Sequence, residues 1–248
     1  MTAKCFRLKP FGEKMDKQRL DKFISNQLGI SRSEVRTGIK RRLASVNGKP
    51  VSDFAAQIIP GSDTVLYGGK EVCYKKFVYI MLNKPAGIIC ASRDKTRKTV
   101  LDLVPEKYKN RRLSAVGRLD KDTTGLLLIT DDGDFAHRCI SPKSNIEKCY
   151  IAELDGDIDG GVISAFENGV TLADGYVCKP ARLERVGTRT ARVTVTEGKY
   201  HQIKRMFGVF GLGVNRLHRE SVGGLKLPAD LEEGECREVA NIAQTVGF

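Results

Sequence analysis

The chain has 248 residues, of which 41% are hydrophobic and 29% are charged. A chain of this length and composition forms one large globular domain or two of ordinary size, which excludes collagen-like, mucin-like and disordered proteins. Its apolar runs, such as residues 126–129, are far shorter than the ~20 residues that cross a bilayer, so we expect no membrane partner. The N-terminal residues are basic and carry no apolar stretch, so we expect no secretory signal peptide and a cytoplasmic location.

The net charge of +12 is concentrated in the first third of the chain. Residues 1–76 contain 16 Lys and Arg against 7 Asp and Glu, whereas residues 77–248 contain 26 against 23. An N-terminal element with this excess predicts an anionic partner, and nucleic acid is the commonest one. Composition alone fits equally well a basic face that is only solvated.

The seven cysteines are scattered along the chain, and no two of them form a Cys-x-x-Cys pair. We interpret all seven as free thiols in a reducing compartment. Neither the cysteines nor the three histidines have the spacing of a zinc site, so we expect no bound metal.

Two helices are the first predicted elements. Residues 1–18 show no sustained periodicity and are interpreted as an N-terminal arm. A helix is predicted over residues 20–28, because apolar residues recur there at helical spacing and Gly29 follows as a stop. Ser31 and Glu34 then form a capping box at the start of a second helix.

The second helix carries an apolar stripe and a basic stripe. Val35 and Ile39 supply the buried side. The cations that recur on another face and continue at the helix end are Arg32, Arg36, Lys40 and Arg41. A row of cations with this spacing is suited to contact with a phosphate backbone.

A hairpin signal follows the basic helix. The turn Val-Asn-Gly-Lys at residues 46–49 leads into a short strand near Val51, and residues 65–67 are a second strand candidate. With the two helices, this pattern resembles the S-four-type RNA-binding domain, which we assign to residues 19–72. In that family the two-helix face contacts RNA, so the resemblance places the basic stripe at an RNA-binding face. The alternative is a small helical cap whose charges only keep it soluble.

A second domain is predicted over residues 77–245, after the Lys-Lys pair at 75–76. It opens with the β-rich run 77–82, which Asn83-Lys84-Pro85 stops. Further strands are expected near residues 126–129, 150–154, 191–195 and 223–227. This mixture of strands and helices with hairpin-length spacings indicates an α+β fold.

The densest chemical signal is a polar loop at residues 117–125 that runs directly into the apolar segment 126–129. A carboxylate just before a buried strand has the rigid support that a catalytic group requires, and Asp120 is the candidate. For any single residue of this loop, composition alone favours a role in a turn or a helix cap.

The whole loop resembles the signature of the ribosomal small-subunit pseudouridine synthases (the RsuA-like family). In that family the aspartate of Gly-Arg-Leu-Asp is catalytic, which implies this role for Asp120. Arg118 is then the side chain that fills the space of the extruded base. Glu-Lys-Cys-Tyr at 147–150 resembles the family's second active-site strand, whose tyrosine, here Tyr150, packs on the target base.

Residues 197–206 resemble the family's third segment, in which an apolar residue precedes a cation that reaches the catalytic aspartate. Ile203 and Lys204 occupy these two positions. Arg205 follows directly, and from the sequence either cation can face the pocket.

The resemblance covers residues 19–240 and implies a small helical and hairpin RNA-binding domain, followed by a mixed, largely antiparallel sheet with flanking helices and a cleft. It implies a synthase that isomerises one uridine in ribosomal RNA without a cofactor. We expect the substrate to be 16S RNA of the small subunit, free or in an assembly intermediate, and the enzyme to be a monomer.

Two other classes of protein remain open on the sequence. A non-catalytic ribosome-assembly or translation-regulating RNA binder explains the basic first third but gives Asp120, Tyr150 and Lys204 no shared purpose. A metal-dependent nuclease would use the acidic cluster Asp131, Asp132 and Asp134, although acids that flank Gly133 after a strand are more simply a turn.

Overall fold

The structure is a computed structural model, and it describes residues 16–240 and 242–247. Most of the predicted arm therefore lies outside the described residues. The described chain divides into a first unit, residues 16–77 with 104–112, and a second unit, residues 78–103 with 113–247.

The first unit differs from the predicted domain by its second segment. Residues 104–112 lie in this unit, although the sequence-based boundary places them in the second domain. The segment is held by contacts between residues far apart in sequence. The side-chain amide of Asn110, for example, donates a hydrogen bond to the carbonyl of Ile30 at 2.7 Å. Local sequence patterns carry no signal for contacts of this kind.

Two helices and several short strands form the first unit. In chain order they are β1 (Gln18–Arg19), α1 (Leu20–Leu28), α2 (Arg32–Lys40), β2 (Ala44–Val46), β3 (Lys49–Pro50), β4 (Gln57–Ile58), β5 (Val65–Tyr67) and β6 (Lys70–Glu71). The strands pair as β1 with β4 and as a sheet of order β3-β2-β5-β6. Apolar side chains of both helices pack with those of the strands into one core.

Local signals place these elements where the sequence predicts them. Gly29 ends α1 in the left-handed conformation, with φ 73°. The hydroxyl of Ser31 accepts a hydrogen bond from the backbone N–H of Glu34 and caps α2. Asn47 and Gly48, both at positive φ, make the tight turn between β2 and β3. The predicted helices and hairpin are thereby confirmed.

The second unit is built on one large sheet. Its strands are β7 (Tyr79–Lys84), β8 (Ser114–Ala115), β9 (Thr124–Thr130), β10 (Lys148–Leu154), β11 (Arg182–Arg185), β12 (Thr190–Val195), β13 (Val214–Val222), β14 (Leu225–Lys226) and β15 (Cys236–Glu238). The helices are α3 (Gly133–Ile140), α4 (Gly160–Asn168), α5 (Gln202–Gly208) and α6 (Ile242–Val246).

The sheet is mixed and largely antiparallel. Its order is β11-β12-β10-β13-β9-β7-β15, with β14 on β13 and β8 on β9. Within the described residues, the pairing of β13 with β9 is parallel and the other named pairings are antiparallel. Every residue of β9 is buried, and its two edges pair with β7 and β13. The predicted α+β class is confirmed.

The predicted strand at residues 223–227 is wrong over its first half. The long strand β13 ends at Val222, Gly223 takes a positive φ, and β14 then turns back to pair with β13. The glycine pair makes a turn because its backbone lacks the steric restriction that a strand of β-branched residues has. No helix in the described part of the chain is long and apolar enough to span a membrane.

The cysteines do not all behave as predicted. Cys90, Cys139, Cys149, Cys178 and Cys236 are free thiols. Cys73 is disulfide-bonded, so the prediction of seven free thiols is wrong at this position. A disulfide requires two sulfur atoms close in space, which the spacing of scattered cysteines does not reveal.

Candidate active site

Asp120 lies in the loop that enters β9, and a buried lysine fixes this loop. Lys84, at the end of β7, is fully buried. Its ammonium group donates hydrogen bonds to the carbonyls of Pro85, Lys121 and Thr123 at 3.0, 3.2 and 2.9 Å. Burial lowers the pKa of Lys84. Sequence reasoning missed this residue, although it stands in the Asn-Lys-Pro sequence that ends the first predicted strand.

A cavity of about 80 Å³ collects side chains from the predicted active-site segments. Arg118 and Asp120 reach it from the loop, Tyr150 from β10, and Ile203 from α5. The Asp120 side chain is 27% exposed, whereas Tyr150 and Ile203 are buried. The structure therefore brings together residues from three segments that are far apart in sequence.

The two consecutive cations of the third segment point to different acids. The Lys204 ammonium lies 3.9 Å from the nearer Asp120 oxygen and donates to both Asp122 oxygens at 2.6 and 2.7 Å. Its hydrogen bonds lower the pKa of Asp122. Arg205 instead pairs with Asp174. Of the two cations, Lys204 is the one beside the candidate carboxylate.

His201 also contacts the candidate carboxylate. Its Nε2 lies 3.4 Å from an Asp120 oxygen. The backbone is left-handed, with φ 50°, and the imidazole stacks on the Tyr200 ring at 3.9 Å between centroids. Sequence reasoning missed this contact. Its position inside the 197–206 segment was the available signal.

A buried carboxylate holds the turn that leads into α5. Glu197 accepts hydrogen bonds from the Tyr176 hydroxyl at 2.9 Å, the Lys179 backbone N–H at 3.0 Å and the Gln202 amide at 2.8 Å. This anchor fixes the start of the helix that carries Ile203 and Lys204.

The cations predicted to bind RNA lie in the first unit, and two of them are already paired. Arg32 and Arg36 donate to the buried Asp21 carboxylate at 2.9 and 2.8 Å. Their side chains remain 46% and 42% exposed. Lys40 and Arg41 are exposed at the end of α2.

The acidic cluster after β9 makes structural hydrogen bonds. Asp132 caps α3 by accepting from the Phe135 backbone N–H at 3.0 Å, and it also accepts from the Tyr79 hydroxyl at 2.6 Å. Asp131 accepts from the Val78 backbone N–H at 2.8 Å. The predicted turn is thus the N-terminus of α3, and these contacts account for two of the acids without a metal.

The cavity around Asp120 combines a carboxylate with a flat aromatic wall. A partly exposed carboxylate beside Lys204 and His201 can act as a nucleophile or as a proton acceptor. Tyr150 offers a ring face on which an unstacked base can pack. Such a site suits chemistry on a nucleotide taken out of its stack.

Comparison with known proteins identifies the family. Residues 78–208 match the family model of RNA pseudouridylate synthases. The chain belongs to this family. It is 42% identical over 221 residues to ribosomal small subunit pseudouridine synthase A of Escherichia coli (strain K12), covering 88% of this chain and 95% of that protein. It is 41% identical over 226 residues to an uncharacterized RNA pseudouridine synthase of Bacillus subtilis (strain 168), covering 89% and 94%.

A solved structure agrees with the sequence comparison. The crystal structure of a pseudouridylate synthase superposes with a TM-score of 0.64 at 35% identity, over 90% of this chain and 96% of that one. The present chain is an RNA pseudouridine synthase, an enzyme that isomerises uridine to pseudouridine. The resemblance to the RsuA-like family is confirmed, and the non-catalytic and nuclease alternatives are excluded as its main function.

Proposed function

We propose that this synthase isomerises a uridine of small-subunit ribosomal RNA, with Asp120 as the catalytic carboxylate. The observation that carries the role of Asp120 is its position in one cavity with Tyr150, beside Lys204. The RNA class is supported by relatives named ribosomal small subunit pseudouridine synthase A. Such a substrate, free or in an assembly intermediate, places the enzyme in the cytoplasm.

The reaction breaks one bond to the sugar and makes another. The bond from N1 of uracil to C1′ breaks, the detached base rotates, and a bond forms from C5 to C1′. The proton on C5 leaves and N1 gains one, so nothing is oxidised and no cofactor is consumed. Asp120 serves as nucleophile or charge partner at the sugar and as acceptor of the C5 proton.

The other residues of the cavity bind and orient the nucleotide. Tyr150 stacks on the extruded uracil, and Ile203 closes the apolar side of the cavity. The exposed Arg118 side chain fills the space that the base leaves in the RNA. Lys204 supplies positive charge beside Asp120, whereas Arg205, which pairs with Asp174, contacts the RNA outside the cavity.

The first prediction concerns Asp120→Asn, which keeps the size of the side chain but removes its charge and nucleophilicity. We expect pseudouridine formation to fall to the detection limit in single-turnover assays on unmodified small-subunit RNA. RNA binding should stay near normal, because phosphate contacts elsewhere supply most of the affinity.

Asp131→Asn is the matched control, since Asp131 holds the backbone of Val78 and lies outside the cavity. It should retain most activity per folded molecule. Large-subunit RNA serves as the control substrate and should gain no pseudouridine. Robust turnover by Asp120→Asn would overturn the catalytic role of Asp120. Modification confined to large-subunit RNA would overturn the proposed substrate class.

A further inference from the structure

A second cavity of about 90 Å³ adjoins the one that contains Asp120. The two cavities share Arg118, Tyr150 and Gly198 in their linings, so the Tyr150 ring borders both. Lys148 and Arg219 line the second cavity only. The proposed reaction uses neither of these two cations.

Arg219 is a buried cation whose hydrogen bonds go to neutral groups. It is 3% exposed, and its Nε donates to the Leu126 carbonyl at 2.7 Å. One terminal nitrogen lies 3.5 Å from the Tyr150 hydroxyl, and the other, Nη2, has no hydrogen-bond partner among the described residues. A buried guanidinium donor without a partner is unfavourable unless something else supplies the missing contact.

Lys148 adds a second positive charge to the same cavity. It lies on β10, two residues before Tyr150. In the antiparallel pair of β10 with β13, Tyr150 lies opposite Arg219. The half-buried Lys148 ammonium donates to the carbonyl of Ile146 at 3.0 Å. Burial, and then the charge of Arg219, lower the pKa of Lys148.

The lining of this cavity has no counter-charge. Arg118, Lys148 and Arg219 contribute to it, and no Asp or Glu does among the described residues. Two other buried charged groups have their hydrogen-bond partners within the protein: the Asp21 carboxylate pairs with three arginines, and the Lys84 ammonium donates to three carbonyls. A cavity with several cations and no acid selects an anion from outside the protein.

We propose that this cavity binds a phosphodiester group of the RNA next to the target uridine. Lys148 is the direct donor, and the charge of the buried Arg219 adds to the attraction. The inference rests on the proposed stacking of uracil on Tyr150, because Tyr150 lines both cavities and the Arg219 guanidinium lies over its ring, 5.9 Å from the centroid. The phosphate would fix the strand while the base is held for rotation.

The test is a scan of single phosphates by equilibrium binding. RNA fragments centred on the uridine that the enzyme converts each carry one neutral methylphosphonate in place of a flanking phosphodiester. Full-length enzyme should lose about tenfold in affinity at one position, as expected for a lost charged hydrogen bond. Lys148→Met should bind the unmodified fragment equally weakly and show no further loss at that position.

Two variants keep the result interpretable. Lys148→Arg retains a cation and should restore sensitivity to that methylphosphonate. Lys143→Met removes an exposed charge that does not line the cavity and should behave like the parent enzyme. Far-ultraviolet circular dichroism checks the fold of each variant.

The proposal would be overturned if, at every position, the loss from the methylphosphonate added to the loss from Lys148→Met. It would also be overturned if Lys148→Met bound the unmodified fragment with unchanged affinity. Calorimetry with inorganic phosphate separates the sources of the anion. If free phosphate binds through Lys148 but no methylphosphonate position lowers RNA affinity, the cavity is a site for a free anion. That result also overturns the proposal. These titrations read binding, whereas the test of the proposed function reads pseudouridine, so the two failures are distinguishable.

Discussion

At the scale of single residues, the neighbouring cations Lys204 and Arg205 have separate partners. Lys204→Met removes the positive charge beside Asp120 and releases Asp122. We expect the single-turnover rate to fall by about 100-fold, the size of effect seen when one charge-stabilising group is removed from an active site. Arg205→Met breaks the pair with Asp174 and should reduce the rate far less.

Lys204→Arg is the control for charge and should recover part of the lost rate. RNA affinity, measured in parallel, should change less than the rate for Lys204→Met. Equal losses for Lys204→Met and Arg205→Met would contradict the separation of the two cations.

A second residue-scale prediction concerns Lys84. Lys84→Met removes the donor to three carbonyls and leaves these acceptors buried without it. We expect the free energy of unfolding to fall by about 2–4 kcal/mol, measured by denaturant titration. The chemical step should slow because the Asp120 loop loses its anchor, while RNA affinity stays close to normal. A variant with unchanged stability and full turnover would show that the anchor is dispensable.

The sequence predicts this site where a local signature exists and misses it where the contact is long-range. Asp120 follows from the string of residues around it, and Tyr150 from the short segment that ends on it. The contacts of Lys84 with Lys121 and of His201 with Asp120 join separate segments. Their geometry depends on how β7, β9 and α5 come together, which spacing along the chain does not encode.

At the scale of elements, the pair α1 and α2 is joined through one buried carboxylate. Burial alone would raise the pKa of Asp21, but the hydrogen bonds from Arg19, Arg36 and Arg32 outweigh it and hold the pKa far below its usual range. The ionised Asp21 therefore stabilises the fold, and this contribution is fully present above about pH 4, which is the pKa of an aspartate in the unfolded chain. The contribution is lost as the pH falls through the native pKa.

Asp21→Asn should therefore lower the free energy of unfolding at pH 7 by about 1–3 kcal/mol, because the half-exposed arginines lose their shared acceptor. The difference from the parent protein should shrink in unfolding experiments at progressively lower pH. Asp53→Asn, an exposed acid of the same unit, is the control. A difference that is constant down to pH 3 would contradict the ionised role of Asp21.

Element prediction succeeds where one residue dictates backbone geometry. Gly29, Ser31 and the Asn47-Gly48 turn act within a few residues of themselves, so α1, α2 and the hairpin are predictable. The end of β13 is not, since it depends on the Gly223 turn and the return of β14. Residues 104–112 join the first unit through long-range contacts, which the periodicity of the sequence does not indicate.

At the scale of the whole molecule, the uneven charge predicts how binding responds to salt. Lys40 and Arg41 are exposed at the end of α2, whereas Arg32 and Arg36 share Asp21. Replacing both Lys40 and Arg41 by Gln should weaken RNA binding and reduce the slope of log affinity against log salt by about one to two. Lys70→Gln, an exposed charge on β6, should change the slope less.

This salt titration distinguishes anchoring from a merely solvated face. Single-turnover rates at saturating enzyme should stay near those of the parent, because the substituted side chains lie outside the Asp120 cavity. An unchanged slope of log affinity against log salt in the double variant would show that Lys40 and Arg41 do not contact the RNA.

The return of residues 104–112 to the first unit sets the order in which the protein is completed during translation. The chain leaves the ribosome from its N-terminus, so α1 and α2 emerge well before this segment. Gly29 lies directly against the backbone of Lys107, and Asn110 donates to the Ile30 carbonyl, so neither contact can form earlier. The first unit of a growing chain therefore stays unfinished until β7, the rest of residues 78–103 and the segment 104–112 have all been synthesised.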